Sequence, residues 1–580
     1  MSSHSEVEIK FAVPVEAKAA VAAEVARGSA VEHRILAAKY LDTSDRRLAR
    51  AGIAWRVRRE GRRWIQALKA GSGALERFEH EVVRTDGSHD AAAHGETVVG
   101  QKLDRILRQA RADGFEVGVR FQTQIRRSAR RIRTRGAVVE VAFDDGRLVA
   151  GTSRERVLEV EFELVSGSTV SMLALAERWR KRFGLLYEPR SKSERGDRLA
   201  EDLPLAPIRK ARRPEYPRHA STAEAFGAVL DECLSHVSRS ASGVVAGDRS
   251  LRVEHVHQLR VGIRRLRSGL RSFSGWLPPP PEAMVEGLRG LFATLGQSRD
   301  GDVLGAGVVA ALEKAGAPAL AVPAGASGPD PVAAVRAPET QRLLLGWLTW
   351  RAGLAEGLAD PAAPNPAVTD SSAMDPGVTD PGATDPGVTE SGMTDSAIAD
   401  SAVRDVAVRA PSVRDPAVTD SAVKVPLPAD GLDRPPGTGG DQAPPGPDDG
   451  RATFRRDAER RLRRWHRRIA ADWKRFDDLD EESLHALRKR IKRQRYAVEF
   501  FAPVLRDGRT RRYLKPLTSI QDRMGELNDL FVARTRYREL VASDPAAWFA
   551  LGWIEARVTV LRALAKPELK RLAKADPPGR

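Results

Sequence analysis

The chain has 580 residues, with 95 Lys and Arg against 78 Asp and Glu and a formal net charge of +17 at pH 7. That length exceeds one ordinary core, so two or three domains are expected, and the positive balance points to a polyanionic partner: nucleic acid, acidic lipid or condensed phosphate. One cysteine, Cys233, excludes an intramolecular disulfide, MSSHSEVEIK lacks an apolar signal core and no stretch reaches membrane-spanning length, so a soluble cytoplasmic protein with no membrane partner is expected.

Residues 1–203 are dominated by alternating segments. In EVEIKFAV, an extended chain puts Glu6, Glu8 and Lys10 on one face and Val7, Ile9 and Phe11 on the other. The pattern recurs: Arg56 and Arg58 in AWRVRRE, Lys69 at the end of QALK, Glu79 and Glu81 in RFEHE, Arg127 after FQTQIR, Glu140 in VVEVAFDDG, and Glu159, Glu161 and Glu163 in LEVEFEL. GR and DDG turns are expected between several strands, with helices near 97–113 and 168–183. Many short strands and few helices predict a closed or nearly closed antiparallel sheet with flanking helices.

A single ExExK segment reads as the wet face of an edge strand; its recurrence on strand after strand argues instead for a barrel with charged faces inward. Buried charges of one sign need neutralising, by a divalent metal for the carboxylates and a polyanion for the Arg and Lys side chains. Hard carboxylate oxygens suit Mg²⁺ or Mn²⁺.

Residues 204–219, PLAPIRKARRPEYPRH, form a Pro/Arg linker, after which the period changes from 2 to 3.6. Helical bundles are expected over 220–358 and 452–571, followed by a tail at 572–580. Between the bundles, 359–451 contains a degenerate pentapeptide series (DPGVT DPGAT DPGVT) that offers only Ala, Gly or Val where a stacked core needs large side chains, so a disordered insert is expected.

The bundles share a second repeat. VHQLRVGIRRLRSGLRSF aligns without a gap with LHALRKRIKRQRYAVEFF, and LGQSRDGDV parallels MGELNDLFV. His257, Arg260, Arg264, Arg267 and Arg271 fall within an arc of roughly 80° on a helix. His485, Arg488, Lys492 and Arg495 repeat the stripe, with Lys489 beside it and Glu499 in the fifth position. One such stripe reads as a solvated face, but two with histidine in the same phase suit a long polyanion. A metal site at the histidines is disfavoured because no carboxylate lies at ligand spacing. Nucleic acid is the weaker partner, since the stripes lack interleaved aromatics and a groove-reader signature.

Taken together, ExExK (Glu6, Glu8, Lys10), YxDT (Tyr40, Asp42, Thr43), WRVR (Arg56, Arg58), Lys69, FEHE, EVAFDDG, the ExExE strand and SKSERG (Lys192, Arg195) resemble the CYTH domain of the triphosphate tunnel metalloenzymes over about residues 5–200. Trp55 stands where that family commonly has leucine. The resemblance implies an eight-stranded antiparallel tunnel that binds a linear triphosphate and, with a divalent metal, hydrolyses it or in some members cyclises a nucleotide. Carried over by position, it implies Glu6, Glu8, Glu159 and Glu161 as metal ligands for Mg²⁺ or Mn²⁺. Lys10, Arg56, Arg58, Lys69, Arg127, Lys192 and Arg195 become phosphate contacts, and Glu6, Glu8, Lys10 and Lys192 the catalytic set. No general base is assigned.

The doubled motif resembles the CHAD domain, a conserved-histidine helical domain, which implies two pseudo-symmetric bundles whose basic surfaces bind inorganic polyphosphate. The two stripes and Lys489 would form that surface. The expected protein is therefore a metal-dependent inorganic triphosphatase, cleaving tripolyphosphate to pyrophosphate and phosphate, coupled to a polyphosphate-binding domain that associates with polyphosphate granules. The alternatives are a non-catalytic polyphosphate-binding or granule protein and a nucleoside triphosphate hydrolase or adenylate cyclase.

Overall fold

The computed structural model describes residues 4–27, 30–71, 73, 75–303, 308–318, 329–357 and 449–579. The insert expected at 359–451 lies outside the described residues, except for 449–451, which open a helix.

Eight strands alternate hydrogen-bonding partners around a circle: β1 (His4–Ala12), β2 (Glu32–Thr43), β3 (Ile53–Glu60), β4 (Arg63–Ala70), β5 (Glu76–Arg84), β6 (Val117–Thr134), β7 (Ala137–Ala150) and β8 (Ser153–Gly167). They run in the order β5-β4-β3-β2-β6-β7-β8-β1, every pair antiparallel, and the first residues of β1 turn back to pair with β5. This closure joins His4–Val7 of β1 to Glu76–Glu79 of β5 and turns the sheet into a barrel. A short β9 (Leu186–Tyr187) adds to the far half of β1.

Five helices decorate this barrel: α1 (Lys18–Val25), α2 (Arg47–Arg50), α3 (Val98–Ala112), α4 (Thr169–Phe183) and α5 (Lys192–Ala200). Thr97, Ser168 and Ser191 cap α3, α4 and α5, each accepting a backbone N–H three residues on. The apolar face of β1 and β8 (Ile9, Phe11, Val160, Phe162) packs under α4, with Phe162 and Trp179 ring centroids 5.7 Å apart. Trp55, Val57 and Leu68 pack against Leu103 of α3. With those side chains facing outward, period two sends Glu6, Glu8 and Lys10, and Arg56 and Arg58, to the lumen.

The expected helices at 97–113 and 168–183 form within a residue or so of those limits, but the DDG turn does not. Asp144, Asp145 and Gly146 lie inside β7, paired on both sides. Gly146 is needed there because a Cβ would come within 2.1 Å of the Gln124 carbonyl oxygen on β6.

The helical half comprises α6 (Thr222–Ala246), α7 (Arg252–Phe273), α8 (Glu282–Val303), α9 (Ala310–Lys314), α10 (Pro331–Arg336), α11 (Pro338–Ala355), α12 (Asp449–Lys474), α13 (Glu481–Phe501), α14 (Asp507–Leu540) and α15 (Ala547–Ala573). Ser221 and Glu224 form a capping box that starts α6. Phe273, Trp276, Phe454 and Phe501 interlock between the two sets of helices, and Arg265 of α7 pairs with Glu499 of α13 at 2.8 Å. The 204–219 segment is fastened to these helices, with Arg209 on Glu232 at 2.6 Å and the Tyr216 hydroxyl donating to the Phe500 carbonyl at 2.5 Å. One continuous apolar core runs from Phe11 and Trp179 on the barrel through Phe226 and Leu230 of α6 to Phe500.

Candidate functional site

At one end of the lumen, Lys192 of α5 reaches three carboxylates, Asp144 at 2.9 Å, Glu159 at 2.8 Å and Glu161 at 2.6 Å. Arg127 of β6 grips Asp144 through two nitrogens at 2.7 Å and also pairs with Glu161, while Arg195 pairs with Glu159. Burial works against the Lys192 ammonium, but Asp144, Glu159 and Glu161 together overcome it and hold its pKa well above the usual lysine value. Burial likewise disfavours the Glu161 carboxylate, which Lys192, Arg127 and Lys10 keep well below the usual range.

Farther along the lumen, Lys69 of β4 bonds Glu6 at 2.6 Å and Glu79 at 3.0 Å, and Arg77 of β5 bonds Glu8 at 3.0 Å. Arg56 reaches Glu79 at 3.4 Å and Glu81 at 3.5 Å, and Arg58 reaches Glu60 at 2.6 Å and Glu81 at 3.3 Å. Two groups stand outside this mutual neutralisation. Lys10 is buried with no carboxylate in ion-pair reach among the described residues; burial and then Arg77 lower its pKa to about 8 against the opposing pull of Glu159 and Glu8. Glu163, opposite Glu8 in the β1–β8 register, is raised to about 7 by burial and then by Glu6.

In the helical half the two basic stripes come near enough for Arg264 of one to act on Arg488 and Lys492 of the other. His257, Arg260, Arg264 and Arg267 are half-buried on α7, Arg271 is exposed, and the Arg260 and Arg264 guanidinium groups lie over the Phe292 ring of α8 at 4.8 and 5.7 Å. On α13, Arg488, Lys492 and Arg495 are half-buried, while His485 and Lys489 are exposed. His485 shares a 2.9 Å hydrogen bond with Asn528 of α14, and Arg495 pairs with Glu499 at 3.0 Å. Burial, then Arg488, then Arg264 from the opposite stripe, bring Lys492 down to about 7, with Asp529 only partly opposing them. Cations from both helices are thus crowded around Lys492.

The CYTH domain family matches residues 4–196, and the CHAD domain family matches residues 228–376 and 401–538. The chain carries a CYTH domain followed by a CHAD domain. An inorganic triphosphatase of Haemophilus influenzae is 24% identical over 197 residues, which are 33% of this chain and 54% of that protein, so the chain spans about half the length of this curated relative. Among solved structures, the CHAD domain from the plant Ricinus communis is 24% identical, covering 64% of this chain and 99% of its own, with a TM-score of 0.39. A putative adenylyl cyclase from Hippeastrum, described as having a dominant triphosphatase activity, is 16% identical and covers 34% of this chain and 96% of its own, with a TM-score of 0.24.

Within the CYTH barrel, the expected phosphate contacts Arg56, Arg58, Lys69, Arg127, Lys192 and Arg195 all pair with the acidic side chains just described, and Lys10 lies buried near them. All four expected metal ligands are in ion pairs: Glu6 with Lys69, Glu8 with Arg77, Glu159 with Lys192 and Arg195, and Glu161 with Lys192 and Arg127. Among the described residues, no three His, Cys, Asp or Glu side chains converge as a metal-holding group. The donor chemistry still fits a hard divalent cation, because Glu8 and Glu163 stand opposite each other in the β1–β8 register and Glu163, raised first by burial and then by Glu6, is a carboxyl that a nearby cation would keep ionised.

Sequence reasoning missed Asp144 and Arg77 as lumen residues. Both were signalled by alternation, Asp144 two and four residues from Ala142 and Glu140, and Arg77 two and four from Glu79 and Glu81. In the CHAD domain, no helix of the described residues is long and apolar enough to cross a membrane, which holds for the CYTH helices too.

Proposed function

We propose that the CYTH domain is a metal-dependent inorganic triphosphatase that hydrolyses tripolyphosphate to pyrophosphate and phosphate, and that the CHAD domain binds inorganic polyphosphate and brings the protein to polyphosphate granules. The observation that supports the first part most is Lys10: a buried ammonium with no carboxylate in ion-pair reach among the described residues, in a closed lumen lined by Arg56, Arg58, Lys69, Arg127 and Lys192, calls for an anion of several charges. These cations would bind and align successive phosphates, so that the barrier falls through positioning and charge neutralisation. Arg195 would hold Glu159 in place at the end of the row. Glu163, raised to about 7 by burial and then by Glu6, would exchange a proton near neutral pH. A bound Mg²⁺ or Mn²⁺, held by Glu6 and Glu8 with acids of β8, would neutralise phosphate oxygens and acidify a water. In the CHAD domain, the paired stripes around Arg264, Arg488 and Lys492 support a polyanion partner, and tethering polymer beside the barrel raises its effective concentration.

The test is phosphate release from tripolyphosphate with Mg²⁺ or Mn²⁺ by the full chain, lost in Glu6→Ala and Glu159→Ala. Tight tripolyphosphate binding without turnover would show a binding protein instead, and a panel of pyrophosphate, longer polyphosphate and ATP, with cyclic nucleotide assayed, would expose a nucleotide enzyme.

A further inference from the structure

We propose that Arg239, a residue of the CHAD domain, is a positioning residue for the CYTH tunnel, holding the helix that carries Lys192 and Arg195. This rests on the phosphate-binding reading of the tunnel. It makes the helical domain a working part of that site as well as a tether.

The contact is specific. Arg239 on α6 donates from both terminal nitrogens to the two oxygens of Glu194, at 2.6 and 2.9 Å, and each side chain is only about one quarter exposed (24% and 25%). Glu194 is in the first turn of α5, and its backbone N–H donates to the capping Ser191 hydroxyl at 3.0 Å. Lys192 and Arg195, three residues apart, share the opposite face of that turn and point to Asp144, Glu159 and Glu161. The guanidinium therefore grips the outside of the turn whose inside supplies two lumen cations.

Besides the ion pairs of Lys192 and Arg195 themselves, the barrel holds α5 farther along. Gly196 lies so close to Phe121 that a Cβ would be 2.1 Å from the ring, and Arg46 pairs with Asp197. Both act at the middle of the helix, beyond its first turn. The approach to that turn is also fixed from the CHAD side. The Tyr187 N–H donates to Gln341 of α11 at 2.9 Å, and Ser242 of α6 reaches Glu188 at 3.4 Å, itself in a buried bidentate pair with Arg190. The segment from β9 into α5 is thus held by α11 at Tyr187 and by α6 at Glu188, and Arg239 of α6 grips the first turn of α5 itself.

The experiment uses the full chain, measuring tripolyphosphate affinity by calorimetry and metal-dependent phosphate release for Arg239→Ala, Glu194→Ala and the double variant. Each single change is expected to lower kcat/KM about tenfold, a modest share of what a misplaced catalytic group can cost. The double variant should fall no further than either single one, because both remove one link. Arg239→Lys should recover part of the loss, and binding of long polyphosphate should be unchanged. Wild-type kcat/KM and tripolyphosphate affinity in Arg239→Ala, or additive losses in the double variant, overturn the proposal. Should Arg239→Ala fail to fold, Glu194→Gln, which keeps the shape of the side chain, must show the same loss, and its silence is refuting. A wild-type chain that binds tripolyphosphate without cleaving it defeats the triphosphatase reading while the affinity comparison still decides on Arg239; one that does not bind it defeats both.

Discussion

Replacing Lys10 with methionine separates the stability of the empty tunnel from its affinity for an anion. In the ligand-free protein the Lys10 ammonium is held at about 8 instead of the ordinary 10.5, a difference of about 3 kcal/mol against the charged form. The sign follows directly. Between pH 8 and 10.5 the folded chain binds fewer protons at this site than the unfolded chain, so its contribution to stability rises with pH across that window, and below 8 the full burial cost is present. At pH 7, Lys10→Met should therefore unfold no more easily than wild type, and up to about 3 kcal/mol less easily. Tripolyphosphate binding should behave in the opposite way. At pH 8.5, a group with a pKa of about 8 is roughly three-quarters neutral, and an adjacent polyanion would restore its proton, so wild type should take up about 0.7 proton more than Lys10→Met. Calorimetry in two buffers of different ionisation enthalpy measures this, and protons moved by the ligand and by other groups cancel in the difference between the two proteins. Equal proton uptake by both proteins would refute the idea that Lys10 meets phosphate.

Glu163 titrates with the opposite sense. Its folded pKa of about 7 lies above the ordinary 4.5, so its contribution to stability is fully present below 4.5 and is lost as pH rises to 7. Glu163→Gln should raise the melting temperature more at pH 8 than at pH 5, which a pair of thermal melts will check. In the CHAD domain, Lys492 at about 7 should make polyphosphate binding strengthen as pH falls from 8 to 6 at constant ionic strength, and Lys492→Met should flatten that dependence in a filter-binding or calorimetric titration. Gly196→Ala should push α5 off Phe121 and reduce phosphate release, with Phe121→Ala restoring part of it in the double variant.

Strict alternation made the barrel legible. Ile9 and Phe11 against Glu6, Glu8 and Lys10, or Trp55 and Val57 against Arg56 and Arg58, have only one arrangement that buries the apolar set, and it turns the charges inward. The doubled VHQLR and LHALR segments made the two bundles legible in the same way. Asp144 was hidden because Asp-Asp-Gly is strong turn chemistry, and only pairing with strands on both sides holds it extended. That the lumen would neutralise itself was not legible either. Alternation states which residues face inward, while the pairing of Lys69 with Glu6 or Lys192 with Asp144 depends on register between distant strands and on where α5 enters.

That self-neutralisation constrains how ligands enter. A triphosphate that takes Lys69, Lys192 and Arg127 from their partners leaves Glu6, Asp144 and Glu161 buried without counter-ions. Breaking one buried pair costs roughly 3–5 kcal/mol. A divalent cation on the released carboxylates removes that cost, so metal and tripolyphosphate should each raise the other's affinity by the same factor, about a hundredfold or more. Titrating tripolyphosphate at several Mg²⁺ concentrations, and Mg²⁺ at several tripolyphosphate concentrations, measures both sides of the linkage once binding of the metal by the free ligand is subtracted. An affinity for tripolyphosphate that is the same with Mg²⁺ and with a chelator would mean that the anion leaves the lumen ion pairs intact, and the substrate would then have to lie outside the barrel.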